Sequence, residues 1–238
     1  MIVIKERKPL GHKGYGTIPH LEGSRTTMTD KHCHEGQTRI ATQKKRDFHD
    51  EIIVQEKLDG SNVCVALLNG EIIALTRAGY RAETSPFEQH WHWEKWVEQN
   101  ESRFRYVLEE GERLVGEWLM QAHGTRYELP HEPFVTFDLM KGHERLVYDV
   151  FLSRIKRGHF ASPHLIGRGY PMSVESAMKY LGEHGFHGAI DKAEGCVWRV
   201  QRKGKVDFLC KYVRPDKQDG IYLPEITGKE PVWNWQPR

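Results

Sequence analysis

The sequence predicts an α+β protein built on largely antiparallel sheets. Short segments rich in apolar and β-branched residues follow one another, as in sheets whose neighbouring strands are joined by hairpins. Asn69-Gly70, between two of these segments, is typical of a two-residue hairpin turn because both residues tolerate positive φ. Strands, a helix, strands, a helix and strands succeed each other along the chain, an order that argues against a doubly wound parallel sheet.

Seven segments are predicted strands because apolar and β-branched residues dominate them. They span residues 51–55, 62–68, 71–76, 113–120, 133–140, 195–201 and 205–213. The last two are joined by a turn at residues 202–204. Residues 1–50 have little periodicity, so we expect irregular structure with short strands there. No linker rich in Pro, Gly or Ser divides the chain, which predicts a single domain over residues 1–238.

Two helices are expected. Ser85 and Pro86 supply an N-cap and a first-turn proline for a helix that reaches about residue 108. Its expected apolar face carries Phe87, Trp91, Val97, Phe104 and Leu108. A short helix begins at Ser173 and is expected to bury Ala177, Tyr180 and Leu181. Trp91, Trp93 and Trp96 could stack on bases, but we expect them to pack in the core.

The charge distribution is uneven although the net charge of the 238 residues is only +2. The net charge is +4 over residues 1–50, −8 over residues 51–150 and +6 over residues 151–238. Basic ends are a candidate nucleic-acid surface, and an ordinary mixed surface gives the same counts. The hydrophobic fraction of 38% excludes global disorder, and the longest apolar run, residues 63–68, is too short for a membrane span.

Several common chemistries are not supported by the spacing of their residues. The four cysteines are scattered and form no CxxC pair, which argues against a disulfide framework and a cysteine-type zinc site. The histidines lack metal-site spacing, with no HExxH. Gly11, Gly14 and Gly16 follow no predicted strand and precede no Lys-Ser/Thr, so they predict neither a dinucleotide-binding turn nor a Walker loop.

The segment from Glu56 to Asn62 is the most informative part of the sequence. Lys57 ends an apolar strand and is followed by Asp-Gly-Ser-Asn turn chemistry, which places the lysine at the rim of a pocket. An amine is a nucleophile only when deprotonated, and desolvation or neighbouring cations favour that form. A surface lysine beside a hairpin is the alternative that these residues alone leave open.

Six segments resemble, in order, the motifs of the covalent nucleotidyltransferase superfamily, which contains ATP-dependent DNA ligases, RNA ligases and mRNA capping enzymes. They are Glu56-Lys57-Leu58-Asp59-Gly60-Ser61-Asn62 (motif I), Thr76-Arg77-Ala78-Gly79 (Ia), Val115-Gly116-Glu117-Trp118 (III), Phe137-Asp138-Leu139 (IIIa), Glu194-Gly195-Cys196-Val197 (IV) and Phe208-Leu209-Cys210-Lys211 (V). One such motif is weak, but six in the family order are specific. The resemblance implies the nucleotidyltransferase fold, with antiparallel sheets flanking a nucleotide pocket.

The resemblance also implies roles for the charged residues. Lys57 would attack the nucleotide α-phosphate and expel pyrophosphate, and Lys211 would contact the α-phosphate. Arg77 would contact the sugar or phosphate. Glu117 and Glu194 are the expected catalytic carboxylates and offer the hard oxygen ligands that Mg²⁺ prefers. A polyphosphate and its transition state need such positive charge and metal.

The nucleotide base has its own expected contacts in this resemblance. The ring of Phe137 would stack on adenine, and Val197 would contact the other face. Glu56, which precedes the nucleophile as in much of the family, and Asn62 complete the expected nucleotide-binding residues.

The branch of the superfamily is indicated by Asn62. The fifth residue after the lysine is typically Arg in DNA ligases and capping enzymes, and Asn in nick-sealing RNA ligases of the phage type. One departure matters. The family carries a second lysine two residues before the last lysine of motif V, where this chain has Leu209. Lys205, Arg214 or Arg199 could supply the missing charge.

Length favours a nucleotidyltransferase domain without an OB domain, because 27 residues follow Lys211. We expect an N-terminal extension (residues 1–50), a motif-bearing core (51–213) and a short tail (214–238). The first eight residues become charged too quickly for a secretory signal, so we expect a cytoplasmic protein, and a viral origin stays open.

The sequence thus predicts an ATP-dependent RNA ligase that uses Mg²⁺ or Mn²⁺ and joins a 5′-phosphate to a 3′-hydroxyl. The basic segment 199–214 is a candidate for contacts to the nucleic-acid backbone. End-healing enzymes are conceivable partners. The alternatives are a minimal DNA ligase, a capping guanylyltransferase and, from another class, a catalytically inactive nucleic-acid-binding module of the same fold.

Overall fold

The computed structural model describes residues 7–236, which divide into two compact units. Unit 1 combines the chain up to Gly16 with Ser61–Trp118 and Phe134–Ala161, and unit 2 combines Thr17–Gly60, Leu119–Pro133 and the chain from Ser162 onward. The expectation of a single domain stays a prediction. The expected absence of a secretory signal rests partly on residues 1–6, which lie outside the described residues. No helix within residues 7–236 is long and apolar enough to cross a membrane.

Nine strands, six helices and a 3₁₀ turn at Ala82–Thr84 make up the described part of the chain. In chain order they are α1 (Glu35–Thr42), β1 (Asp50–Lys57), β2 (Ser61–Leu68), β3 (Glu71–Thr76), α2 (Glu88–Gln99), α3 (Glu101–Val107), β4 (Glu112–Trp118), β5 (Phe134–Lys141), β6 (Glu144–Arg145), α4 (Tyr148–Arg157), β7 (Leu165–Arg168), α5 (Val174–Leu181), β8 (Gly195–Arg202), β9 (Lys205–Val213) and α6 (Pro224–Thr227).

Unit 1 contains a five-stranded sheet in the order β3-β2-β4-β5-β6, and every pair is antiparallel. The predicted hairpin between β2 and β3 is confirmed, with φ of 52° at Asn69 and 78° at Gly70. Six aromatic side chains from α2, α3, β4, β5 and the loop after α4 form a cluster inside this unit: Trp93, Trp96, Phe104, Trp118, Phe134 and Phe160. Its packing fixes β4 and β5, which carry two of the predicted motifs.

Unit 2 contains a four-stranded sheet in the order β7-β1-β8-β9, again antiparallel throughout. One face of this sheet is apolar and packs against α1 and α5. Its fully buried members include Ile52 and Val54 of β1 and Trp198 and Val200 of β8. The two sheets confirm the predicted α+β class and its antiparallel strands.

Three local predictions are wrong. The helix expected from Ser85 to about residue 108 is two helices, because Asn100 leaves helical geometry (ψ 15°) and its Nδ2 donates to the Trp96 carbonyl oxygen. Phe87 and Trp91, expected on the apolar face, are exposed, while Trp93 and Trp96 are buried as predicted.

In α5, Ala177 and Leu181 are buried as predicted, but Tyr180 is 54% exposed. Residues 177 and 181 are about one helical turn apart and share a face. Residue 180 lies about 60° from residue 177 and about 100° from residue 181 around the helix axis, so its side chain is turned toward solvent. The third error concerns residues 1–50, expected to be irregular with short strands. They contain α1, whose start is marked by a capping box between His34 and Gln37.

Candidate active site

Lys57, Val197 and Lys211 lie on one face of the unit 2 sheet. Gln55 of β1 is opposite Val197 of β8, and Val197 is opposite Lys211 of β9. Residues directly opposite each other in an antiparallel sheet point to the same side, and so do residues two apart on one strand. Lys57 therefore points to the face that carries Val197 and Lys211, away from the apolar core of this unit.

Lys57, the last residue of β1, forms an ion pair with Glu194, which directly precedes β8. Nζ of Lys57 lies 2.6 Å from Oε2 of Glu194 and donates a second bond to the Leu58 carbonyl oxygen at 3.3 Å. Burial raises the pKa of the Glu194 carboxyl, Lys57 lowers it and Asp59 raises it, and the net result is a pKa above the ordinary value. The pair thus holds the lysine nitrogen at a defined position at the rim of the sheet.

Gly195, opposite Lys57 in the strand register, cannot be replaced without moving the sheet. A Cβ atom built there would lie 1.9 Å from the carbonyl oxygen of Tyr212 on β9. The glycine of motif IV is thus required for a steric reason, because the Tyr212 carbonyl oxygen occupies the space that a Cβ atom would need.

The carboxylate of Glu56 lies on the opposite face from Lys57, because neighbouring residues of a strand alternate. It accepts a hydrogen bond from the Phe186 N–H at 3.0 Å, and Nε2 of His187 lies 4.0 Å away. Burial raises the pKa of Glu56 to about 7. The structure therefore does not bring this side chain together with Lys57, although the sequence counted it among the nucleotide-binding residues.

The chain before α1 lies beside Lys211. The sequence did not predict this contact. Lys211 N donates to the Pro19 carbonyl oxygen at 2.9 Å, and Leu21 N donates to the Lys211 carbonyl oxygen at 2.8 Å. His20, between them, is buried, and desolvation followed by the charge of Lys211 lowers its pKa to about 4. A neutral imidazole beside Lys211 adds no positive charge at neutral pH.

Of the three cations considered for the position of Leu209, only Arg199 is suitably placed. Arg199 is opposite Leu209 in the β8–β9 register, so both point to the face of Lys57 and Lys211. Arg214 donates from Nε to the Ala193 carbonyl oxygen at 2.7 Å and from Nη2 to that of Gly182. Lys205 begins β9, six residues from Lys211, a separation of roughly 20 Å.

The remaining predicted residues lie in unit 1. Asn62 of β2 is directly opposite Glu117 of β4, so their side chains share one face of that sheet. Among the described residues, Oδ1 of Asn62 is buried without a hydrogen-bond partner. An amide oxygen in this state is suited to accept a bond from a ligand.

Phe137 occupies a β-bulge in unit 1. Val115 pairs with Asp138 and Gly116 pairs with Thr136, which leaves Phe137 as the extra residue on β5. Bulges re-aim side chains and are frequent beside active sites. The half-buried ring of Phe137 lies edge-on to Tyr15, with centroids 5.3 Å apart, and Arg77 follows β3 with an exposed side chain.

Within residues 7–236, no three or more His, Cys, Asp or Glu side chains are grouped to hold a metal ion by themselves. This does not conflict with a nucleotide-bound Mg²⁺, which keeps several waters and uses one or two carboxylates together with substrate phosphates. Glu194 offers such a carboxylate in unit 2, and Glu117 offers one in unit 1. In each unit, a single carboxylate is compatible with a cation held mainly by substrate phosphates and water.

The sheets and their motif residues define a nucleotidyltransferase-type fold. The RNA ligase family model matches residues 50–213, most of the chain, and this protein therefore belongs to the RNA ligase family. The predicted family is confirmed.

Two solved structures with TM-scores above 0.5 agree on the fold. A lysine-to-alanine variant of Naegleria gruberi RNA ligase with ATP and Mn aligns over 88% of this chain and 61% of that chain, with 16% identity and a TM-score of 0.54. A lysine-to-methionine variant of the same ligase with AMP and Mn covers 85% and 60%, with 16% identity and a TM-score of 0.53. An archaeal ATP-dependent RNA ligase covers 70% and 43%, with 23% identity and a TM-score of 0.47.

The chain spans about two-fifths to three-fifths of the length of these ligases. Among curated proteins, an uncharacterized protein of Methanocaldococcus jannaschii is 44% identical over 36 residues, which is 15% of this chain and 9% of that protein.

Proposed function

We propose that this protein is an ATP-dependent RNA ligase with Lys57 as its nucleophile. The Lys57 amine attacks the α-phosphorus of ATP, a nitrogen–phosphorus bond forms, pyrophosphate leaves, and one proton leaves the nitrogen. A 5′-phosphate oxygen then attacks the same phosphorus and the nitrogen–phosphorus bond breaks. Finally a 3′-hydroxyl oxygen attacks the activated 5′-phosphorus, a phosphodiester forms, AMP leaves and the hydroxyl proton is released.

The position of Lys57 is the observation that carries this proposal. Its Nζ is held 2.6 Å from Oε2 of Glu194, at the rim of a sheet whose same face carries Val197 and Lys211. Glu194 is in reach of the proton that the ammonium must lose before attack. Membership of the RNA ligase family over residues 50–213 gives this geometry its chemical context.

The other chain residues have proposed roles around the nucleotide. Lys211 contacts the α-phosphate, and Arg199 supplies the second positive charge that Leu209 cannot. Val197 offers an apolar surface to the adenine. In unit 1, the proposed contacts are stacking by Phe137, sugar or phosphate binding by Arg77, and a hydrogen bond to Asn62.

A divalent cation is part of the proposal. Two solved relatives of the same fold are described with Mn and with ATP or AMP. Glu194 in unit 2 and Glu117 in unit 1 are the proposed carboxylate ligands, because carboxylate oxygens are the hard ligands that Mg²⁺ and Mn²⁺ prefer. The cation, when bound, would neutralise phosphate charge that the lysines do not neutralise.

The proposed substrate is RNA with a 5′-phosphate and a 3′-hydroxyl. The basic segment 199–214, with Arg202 at the end of β8 and Lys203 in the turn that follows, is the proposed contact for the nucleic-acid backbone. Asn62 at the fifth position after the nucleophile supports RNA over DNA, as the family pattern implies. Binding through phosphates would weaken as salt increases.

A sealing assay tests this function. Wild-type protein is incubated with ATP, Mg²⁺ and matched nicked duplexes whose sealed strand is RNA or DNA. Sealing of RNA should be the stronger and should be lost in Lys57→Ala. The control Lys192→Ala, an exposed lysine of unit 2 paired with Asp216 at 2.7 Å, should seal normally. Stronger DNA sealing would indicate a minimal DNA ligase, and binding without any sealing would indicate an inactive module.

A further inference from the structure

A second lysine of unit 2 is buried against the turn that follows the proposed nucleophile. Nζ of Lys217 lies 2.7 Å from Oδ2 of Asp59, two residues after Lys57. The Lys217 side chain is only 3% exposed. Lys217 belongs to the C-terminal segment, defined here as residues 214–236, which the sequence predicted to be a simple tail.

Asp59 is held by a set of contacts that fixes the turn at residues 58–60. Its N–H donates to Oη of Tyr127 at 3.0 Å, and its Oδ2 accepts from the N–H of Gly124 at 2.9 Å. Nζ of Lys217 also donates to Oγ1 of Thr125, which is fully buried. Asp59 is thus held by Lys217 of the C-terminal segment and by two residues of the strip 119–133, the unit 2 segment between Leu119 and Pro133, while a third residue of the strip holds Lys217.

Gly124 is required by this close packing. A Cβ atom built on it would lie 2.2 Å from the carbonyl oxygen of Gln218 and 3.1 Å from both Oδ2 of Asp59 and Nζ of Lys217. At Gly124, the backbone of the C-terminal segment therefore lies too close to the strip 119–133 for any side chain between them.

The C-terminal segment is anchored along its length within unit 2. Arg214 N donates to the Glu194 carbonyl oxygen at 2.9 Å, directly beside the partner of Lys57. Farther on, Tyr222 N donates to the His123 carbonyl oxygen at 2.9 Å, and Asn234 N donates to that of Met120 at 2.8 Å. The segment thus bonds to the strip 119–133 at two points and to the backbone of Glu194 at a third.

We propose that Lys217 is a positioning residue for Lys57, through which the C-terminal segment latches the motif I turn in its reactive geometry. The inference rests on the proposed function, because a reactive geometry presupposes that Lys57 is the nucleophile. Lys217 acts through Asp59 and has no surface left for substrate. Two ion pairs meet at this turn, Lys57 with Glu194 and Lys217 with Asp59. Removal of Lys217 would therefore leave two carboxylates with one lysine, a buried excess of negative charge.

The test compares the single-turnover rate constant of lysyl-adenylate formation in wild type, Lys217→Met and Lys217→Arg over a range of ATP concentrations, which gives a maximal rate and a half-saturating ATP concentration, written here as KM. Lys217→Met should lower the maximal rate about tenfold or more with an ATP KM within about twofold of wild type, because misplacing a reacting group affects the chemical step. Lys217→Arg keeps the charge and should recover part of the rate. Lys192→Met, which removes the exposed pair with Asp216, is the matched control and should behave as wild type.

Hydrogen–deuterium exchange of the peptide that contains residues 57–61 is a second readout that needs no activity. Exchange should be faster in Lys217→Met than in Lys192→Met, since the Asp59 N–H depends on the clamp. Should Lys217→Met lack a cooperative thermal transition, Thr125→Val removes one acceptor of Nζ without loss of volume and should give a milder change in the same direction.

The outcomes separate the latch from the ligase proposal. A wild-type protein without covalent label contradicts the proposed function and with it the reactive geometry that the latch presupposes, whereas exchange at residues 57–61 still shows whether Lys217 orders this turn. A labelled wild type whose Lys217→Met variant keeps the wild-type maximal rate, or loses rate only through a raised ATP KM, overturns the latch.

Discussion

Lys57 and Glu194 form an ion pair in which Nζ and Oε2 are 2.6 Å apart, with side chains 20% and 9% exposed. The two residues are 137 positions apart in the chain, and the β1–β8 pairing brings them together. The pair gives the lysine a fixed direction, and breaking it should affect chemistry more than stability.

Glu194→Gln is expected to separate these two effects. Glutamine has the size of glutamate and keeps an oxygen that can accept from Nζ of Lys57, so the thermal midpoint should change little. Adenylylation of Lys57 should fall on the order of 10²-fold, as on removal of one preorganised electrostatic group. Covalent labelling rates and thermal melts measure both quantities, with exposed Glu175→Gln as the control. Unchanged labelling in Glu194→Gln would count against a role for this pair.

Arg199 and Leu209 offer a test of charge replacement across strands. Because they are opposite each other in the β8–β9 register, a lysine at position 209 would point to the same face as Arg199. We expect Arg199→Met to lower the labelling rate by about tenfold or more, and the double variant Arg199→Met/Leu209→Lys to recover most of it. If the double variant labels no faster than Arg199→Met, the charge is supplied by another group.

Glu56 should make stability fall as the pH rises. Burial raises its pKa from 4.5 to about 7, so its contribution to stability is complete below about pH 4.5 and is lost as the pH rises through about 7. A shift of this size corresponds to up to about 3 kcal/mol. Urea titrations at pH 5 and pH 8.5 should show that Glu56→Gln is stabilised relative to wild type at the higher pH only. A stability difference independent of pH would mean that Glu56 does not titrate in this range.

Gly195→Ala should destabilise unit 2, because its Cβ atom would lie 1.9 Å from the Tyr212 carbonyl oxygen. The expected loss is about 3 kcal/mol or more, at the upper end of overpacking effects. Gly36→Ala is the matched control, since a Cβ at Gly36 in α1 meets nothing within 4 Å and alanine favours a helix. Equal thermal midpoints for the two variants would contradict the steric role of Gly195.

The sequence predicted the parts of this fold that depend on local patterns. Segments rich in apolar and β-branched residues, the Asn69-Gly70 turn and the motif order led to the antiparallel class and to the RNA ligase family. The break at Asn100 was missed because it depends on one side chain bonding to the Trp96 carbonyl oxygen inside an otherwise helical pattern.

Long-range contacts account for what the sequence could not predict at the site. Lys217 lies 158 positions after Asp59, in a segment with no strand or helix pattern, so nothing local indicated their contact. The segment Pro19–Leu21 was missed in the same way, since its pairing with Lys211 involves only backbone groups. The face of Glu56 follows from strand alternation and could have been found from the predicted strand alone.

Covalent labelling tests the proposed chemistry most directly. Wild-type protein and Lys57→Ala are incubated with α-labelled ATP or GTP and Mg²⁺, then separated by denaturing electrophoresis. Label from ATP should remain on the wild-type chain, be released by acid as expected for a phosphoramidate, and be lost in Lys57→Ala but not in Lys192→Ala. Label from GTP alone would indicate capping chemistry, and no covalent label with either nucleotide would contradict Lys57 as the nucleophile of a ligase.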